Sequence, residues 1–186
     1  MLTGIGGQGI QLAAQVIARA ALAEGRAVQI FGSYGGMMRG GNTEATVVFA
    51  DDAVESPPTV GHAWSGILMH HDYSAPTIQL LRAGSVAFVN TSVFEGDLSA
   101  TGATLVEVKA TELATQVGNP LSAAMVMAGA YAASTGLVAL DALVDAVAAS
   151  LPPYRQQHID VNVAALRVGY DDAPRDIAPA WEPVAC

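Results

Sequence analysis

The residues best placed to do chemistry lie in two glycine-rich stretches near the amino end. Gly4-Ile5-Gly6-Gly7-Gln8-Gly9 has the G-x-G-x-x-G spacing. In that spacing the first glycine permits a tight turn, the second lets backbone approach a ligand closely, and the third packs a helix against a sheet. Free N–H groups at the helix start then face an anion. The second stretch runs Ser33-Tyr34-Gly35-Gly36-Met37-Met38-Arg39-Gly40-Gly41-Asn42, with Arg39 as its one cation. If it follows a strand, it lies at the carboxyl side of a sheet, where open α/β sheets bind ligands.

Alone, the first pattern suggests a dinucleotide. A full dinucleotide site also needs an acidic residue at the end of the second strand, to bind ribose. Phe31-Gly32-Ser33 occupies that place, and Glu24 and Glu44 fall in the wrong elements. A conventional NAD site is therefore disfavoured. No cluster of catalytic acids and bases is evident. His70-His71-Asp72 follows an apolar run. Adjacent side chains on an extended chain point to opposite faces, so the two histidines are expected to make loop contacts and not to share a metal. Tyr154-Arg155-Gln156-Gln157-His158 reads as an interface or a solvated face, and Met37, Met38, Met69, Met125 and Met127 as core or contact residues.

Charge narrows the partners. The net charge is −9, with Lys109 the only lysine among 8 basic residues. Nucleic acid and anionic membranes both need clustered Lys and Arg, so neither is expected. A bound anion must be held by backbone N–H groups or by residues lent by another chain. The only cysteine is Cys186. That excludes an intrachain disulfide, a four-cysteine iron–sulfur cluster and a structural zinc site within this chain, and fits a cytoplasmic location. Charged residues make up 13% of the chain, against about 25% in ordinary domains. Partner-covered surface and a compositional bias of the source explain this equally well. Residues 1–20 lack a basic segment and read as no signal peptide. Leu121–Leu140 carries no charge, but Ser134-Thr135-Gly136 reads as a helix stop, which leaves too little to span a membrane.

The elements that must position these residues follow from periodicity. Ile10, Ala13, Ala14, Ile17, Ala20 and Ala21 recur at spacings of three and four, giving a helix over 10–24 that Gly25 ends. Strands are predicted at 27–31, 43–49, 66–69, 86–90 and 105–108, and helices at 74–81, 119–133, 140–150 and 158–168. Asn119-Pro120 supplies an N-cap followed by proline. The strands are apolar throughout and alternate with helices. The expected class is α/β, a Rossmann-like three-layer domain with a mostly parallel sheet covered on both faces. Only Met1-Leu2-Thr3 precede the glycine loop, too few for an ordinary buried first strand, so a partner is expected to complete that edge unless the start is clipped. Residues 171–186 form a Pro-rich tail expected to lie on another subunit.

Taken together, Gly4–Gly9 with Gln8, Ser33-Tyr34-Gly35, and Arg39-Gly40-Gly41 before a strand resemble the gamma subunit or domain of the 2-oxoacid:acceptor oxidoreductases. Phe88-Val89-Asn90, Gly118-Asn119-Pro120 and Val161-Asn162-Val163-Ala164-Ala165-Leu166-Arg167-Val168-Gly169 extend the likeness over residues 2–170. The chain departs at the short first strand and at Gly36-Met37, where many relatives carry proline and an acidic residue. The resemblance implies a domain over 1–170 within a complex that decarboxylates a 2-oxoacid oxidatively and passes electrons to ferredoxin or a similar acceptor. It implies alpha and beta catalytic subunits as partners, and a ferredoxin-like subunit as a further candidate. Those partners would carry thiamine diphosphate, Mg²⁺ and [4Fe-4S] clusters, while this chain binds no cofactor alone and is inactive alone. Coenzyme A would be a shared substrate. Its contacts would come from Gly4, Gly6, Gly7, Gln8, Gly9, Ser33, Tyr34, Arg39, Gly40, Gly41 and Asn42. A free-standing Rossmann-type nucleotide-binding oxidoreductase is the alternative.

Overall fold

The computed structural model describes residues 1–34, 40–55 and 60–181. Six strands form one sheet in the order β2-β3-β1-β4-β5-β6. They are β1 (Leu2–Ile5), β2 (Ala27–Tyr34), β3 (Asn42–Ala50), β4 (Ser65–Leu68), β5 (Val86–Asn90) and β6 (Thr104–Val108). β1, β4, β5 and β6 pair in parallel, and β3 runs antiparallel to both β1 and β2. One strand of six is thus reversed, and the α/β, mostly parallel class holds.

β1 corrects the expectation of a missing first strand. It runs through Gly4 and Ile5, so the glycine loop supplies half of it, and it lies inside the sheet between β3 and β4. Leu2, Thr3 and Gly4 are buried. No partner is needed to complete that position. β2 also runs three residues beyond its predicted end, because hairpin pairing with β3 carries it through Gly32, Ser33 and Tyr34.

The helices are α1 (Ile10–Ala23), α2 (Ala75–Leu80), α3 (Ala110–Gln116), α4 (Ala123–Thr135), α5 (Leu140–Ser150) and α6 (Ile159–Asp172). The layers are unequal. α1, α3, α4, α5 and α6 share one core with Leu2, Ile67, Phe88 and Val106 of the sheet. The opposite face carries a smaller cluster in which Leu68, Ala87 and Val89 meet Leu81, Leu98 and Ile78. Every residue of α4 is buried. That explains its uncharged sequence without a membrane: the helix is apolar all round because protein surrounds it. No helix among the described residues is long and apolar enough to cross a membrane.

The described part of the C-terminal tail packs on its own chain. Residues 174–181 lie against their own chain and cap α4. The Ser134 hydroxyl donates to the Pro174 carbonyl at 2.6 Å. Ile177 N–H and Ala180 N–H donate to the carbonyls of Ser134 and Thr135 at 2.9 and 2.8 Å. Trp181 Nε1 donates to the Leu137 carbonyl at 2.9 Å, and the Arg26 guanidinium lies 3.8 Å over its ring. The last carbonyls of a helix lack intrahelical partners, and this segment supplies them.

Candidate functional site

Both glycine-rich stretches reach the same end of the sheet because β1 leaves where β3 enters. Ile5 is the register partner of Asn42 and Gly4 of Thr43. Just beyond that pair the loops bond directly. Gly6 N–H donates to the Gly41 carbonyl at 2.8 Å, and Gly40 N–H donates to the Gly6 carbonyl at 3.4 Å. The Tyr73 hydroxyl, arriving from beyond β4, donates to the Gly40 carbonyl at 3.3 Å.

Gly7 and Gly9 hold φ of 110° and 82°, conformations that side chains rarely tolerate. They turn the chain from β1 into α1. Gly9 is the N-cap of α1, which has no side-chain cap and no acidic residue in its first turn. The start of the helix therefore keeps its partial positive charge uncompensated, as an anion site requires. The 3₁₀ turn Pro120–Ser122, with Asn119 accepting from Leu121 N–H at 3.2 Å, leads into α4 beside it. A Cβ added to Gly9 would lie 3.4 Å from Ala124 Cβ.

Several predicted contacts have other duties. Gln8 is a brace: its Oε1 accepts from Ile5 N–H at 2.7 Å and its Nε2 donates to the Met69 carbonyl at 3.4 Å. Gly4 must lack a side chain because a Cβ there would lie 2.5 Å from Gln8 Oε1 and 2.9 Å from Met69 Cβ. The N–H groups of Gly6 and Gln8 are consumed by Gly41 and Ile5, so they are not free for a phosphate. Gly7 and Gly9 N–H have no acceptor among the described residues. Ser33 and Tyr34 belong to β2, opposite Glu44 and Thr43 of β3, and not to a loop. Asn42 opens β3, and its Oδ1 is buried without a hydrogen-bond partner among the described residues. Gly35, Gly36, Met37, Met38 and Arg39 lie outside the described residues.

The structure adds Gln11 and Tyr73, which sequence reasoning missed. Gln11 Nε2 donates to the Glu44 carbonyl at 2.7 Å, and its side chain fills the space that a Cβ on Gly32 would take. The available signal was a polar residue at the start of an otherwise apolar helix stripe. For Tyr73 the sequence carries no signal beyond its place after a strand. At the next strand end, buried Asn90 donates through Nδ2 to Thr111 Oγ1 at 3.0 Å, which ties β5 to α3.

His70 and His71 make the expected loop contacts, accepting from Asp72 N–H and Glu95 N–H, but their rings do not point to opposite faces. β4 ends at Leu68, so His70 and His71 are not extended. Their rings lie 4.3 Å apart, tilted by 34°.

This arrangement can hold an anion on backbone dipoles beside a rigid sheet edge, and the ribose acid is absent. The profile of the pyruvate ferredoxin/flavodoxin oxidoreductase family matches residues 1–172. The chain belongs to that family. Subunit KorC of 2-oxoglutarate synthase from Methanothermobacter marburgensis is 31% identical over 175 residues, spanning 90% of this chain and 92% of the relative. The gamma subunit of the keto/oxoacid ferredoxin oxidoreductase from Geobacter sulfurreducens has the same fold. Its TM-score is 0.75 at 24% identity, and the match covers 92% of this chain and 95% of that one. A third match is the 2-oxoglutarate:ferredoxin oxidoreductase from Magnetococcus marinus, solved with 2-oxoglutarate, coenzyme A and succinyl-CoA. Its TM-score is 0.78 at 18% identity, over 96% of this chain and 32% of that one. The fold of this chain therefore matches a whole gamma subunit in one comparison and a third of a longer chain in another.

Proposed function

We propose that this chain is the gamma subunit of a thiamine-diphosphate-dependent 2-oxoacid:acceptor oxidoreductase, and that its glycine-loop edge helps to bind coenzyme A. The observation that carries the reading is the Gly6–Gly41 tie beside the uncapped start of α1. Two sequence-distant loops are fixed together where Gly7 and Gly9 N–H and the helix dipole can meet a phosphate group. Arg39 adds the one cation of the second stretch.

A division of labour within the complex goes with this reading. One cysteine cannot hold a four-cysteine cluster, so the electron-carrying clusters belong to partner subunits. Thiamine diphosphate with Mg²⁺ belongs to the alpha and beta subunits, where it would supply the carbanion chemistry of decarboxylation. The isolated chain is then inactive. Its work is to position the acyl acceptor and to seat the catalytic subunits, in the cytoplasm.

The test uses the assembled complex. Gly9→Asp places a carboxylate at the uncapped helix start, and Arg39→Ala removes the loop cation. Each is expected to raise the KM for coenzyme A at least about tenfold, with assembly and half-reaction decarboxylation retained. Unchanged KM in both variants overturns the coenzyme A reading. A native protein that purifies without any thiamine-diphosphate partner overturns the subunit reading.

A further inference from the structure

We propose that His70, His71 and Asp72 form a site for a divalent transition ion of the zinc class at the carboxyl edge of the sheet. The turn after β4 makes the site. Tyr73 is held to β1, its carbonyl accepting from the Thr3 hydroxyl at 3.0 Å, and the Ser74 hydroxyl donates to the His70 carbonyl. With its end pinned, the turn stacks the two rings 4.3 Å apart and brings the carboxylate to both. Asp72 Oδ1 is 3.3 Å from His71 Nε2, and Asp72 Oδ2 is 3.7 Å from His70 Nδ1. One ligand atom from each of the three residues falls within 4.8 Å of the others.

Those separations suit an ion. Bonds of about 2.0–2.1 Å in a tetrahedral arrangement place ligand atoms roughly 3.3 Å apart, so the Asp72 Oδ1–His71 Nε2 edge already fits, while the His70 edge, made by the other carboxylate oxygen, and the edge between the rings, within 4.8 Å, close by side-chain rotation. The side chains have room to rotate: His70, His71 and Asp72 are 20%, 33% and 55% exposed. Two imidazoles with one carboxylate select zinc-class ions over Mg²⁺ or Ca²⁺, which prefer all-oxygen sets. Three protein ligands leave a position open, as in catalytic and not structural zinc sites. The net charge of −9 draws cations to the chain.

Binding has a definite cost. Nδ1 of His70 accepts from Asp72 N–H, and Nδ1 of His71 accepts from Glu95 N–H, each at 3.2 Å. An ion at His70 Nδ1 replaces the first bond. An ion at His71 Nε2 moves that ring's proton to Nδ1 and breaks the second. The site is therefore weaker than a structural zinc site, which binds through ligands with no such bonds to give up.

The experiment uses the full chain without a histidine tag, stripped with a chelator. Zinc chloride is titrated by calorimetry, and the four histidine rings are followed by NMR. One equivalent of Zn²⁺ per chain is expected, with ring signals of His70 and His71 shifting and those of His62 and His158 unmoved. His70→Gln and His71→Gln each weaken binding at least about tenfold, and His62→Gln leaves it unchanged. Lack of stoichiometric uptake overturns the proposal. So does uptake that shifts His62 or His158 instead, or that survives in a folded His70→Gln/His71→Gln variant.

Discussion

Gly129 of α4 and Gly169 of α6 make one crossing at which the two helices touch backbone to backbone. A Cβ on Gly129 would overlap the Leu166 carbonyl oxygen and lie 2.8 Å from Tyr170 N; a Cβ on Gly169 would overlap the Val126 carbonyl oxygen. Neither obstacle is a side chain that can swing aside. Gly129→Ala and Gly169→Ala are each expected to destabilise the chain by about 3 kcal/mol or more, at the upper end of overpacking costs. The double variant should cost less than the sum, because the first methyl already separates the helices. Denaturant unfolding of the three variants checks this.

A second prediction concerns Tyr131. Its hydroxyl lies 3.0 Å from Ser65 Oγ inside the core, and its ring meets Phe88 edge-on at 5.1 Å. Burial pushes its pKa up to about 12, with the Ser65 hydrogen bond opposing the rise. The folded state then keeps the proton after the unfolded chain has lost it. The stability this supplies is fully present below pH 10 and is lost as pH rises from about 10 through about 12. The loss is on the order of 2–3 kcal/mol. Tyr131→Phe should cost about 1 kcal/mol near neutral pH and remove this alkaline loss. Urea titrations of both proteins between pH 8 and 11 measure the difference.

Gln8 gives a third. Gln8→Ala removes the acceptor for Ile5 N–H and the donor to the Met69 carbonyl. A loss of about 1–2 kcal/mol is expected, with faster hydrogen exchange at Ile5 and little change at β5 and β6. Equal acceleration across the whole sheet would show that Gln8 does not act locally.

The fold was largely legible because its signals are local. The apolar stripe of α1, the continuous apolar runs of β4 and β5, and the Asn119-Pro120 start all state their structure within a few residues. β1 was misjudged because a strand of four residues, three of them glycine or next to one, carries no periodicity; its burial comes from β3 and β4 pairing on either side. The far end of β2 was missed for the same reason, since hairpin pairing overrode the glycine at 32. At the site, the glycine spacing was readable, but the individual roles were not. Gln8 and Gly6 face their own scaffold through bonds to Met69 and Gly41, partners that lie far along the chain.

Trp181 supplies a fourth prediction. Trp181→Ala removes the bond to the Leu137 carbonyl and the stacking of Arg26, which also pairs with Asp51. A cost of about 1–3 kcal/mol is expected. Protease cleavage should then begin in residues 174–181 before the sheet opens. An unchanged rate of cleavage within residues 174–181 would deny the segment its capping role.

The pairing of Ile5 with Asn42 has a consequence for how the edge can evolve. The gap between the two loop anchors is counted in ladder rungs, so it can change only in whole steps, and a single step would turn β1 inside out. Insertions between Tyr34 and Gly40 leave that gap untouched. The edge can therefore try new loop sequences, and with them new ligands, while the ruler against which they are measured stays the same length.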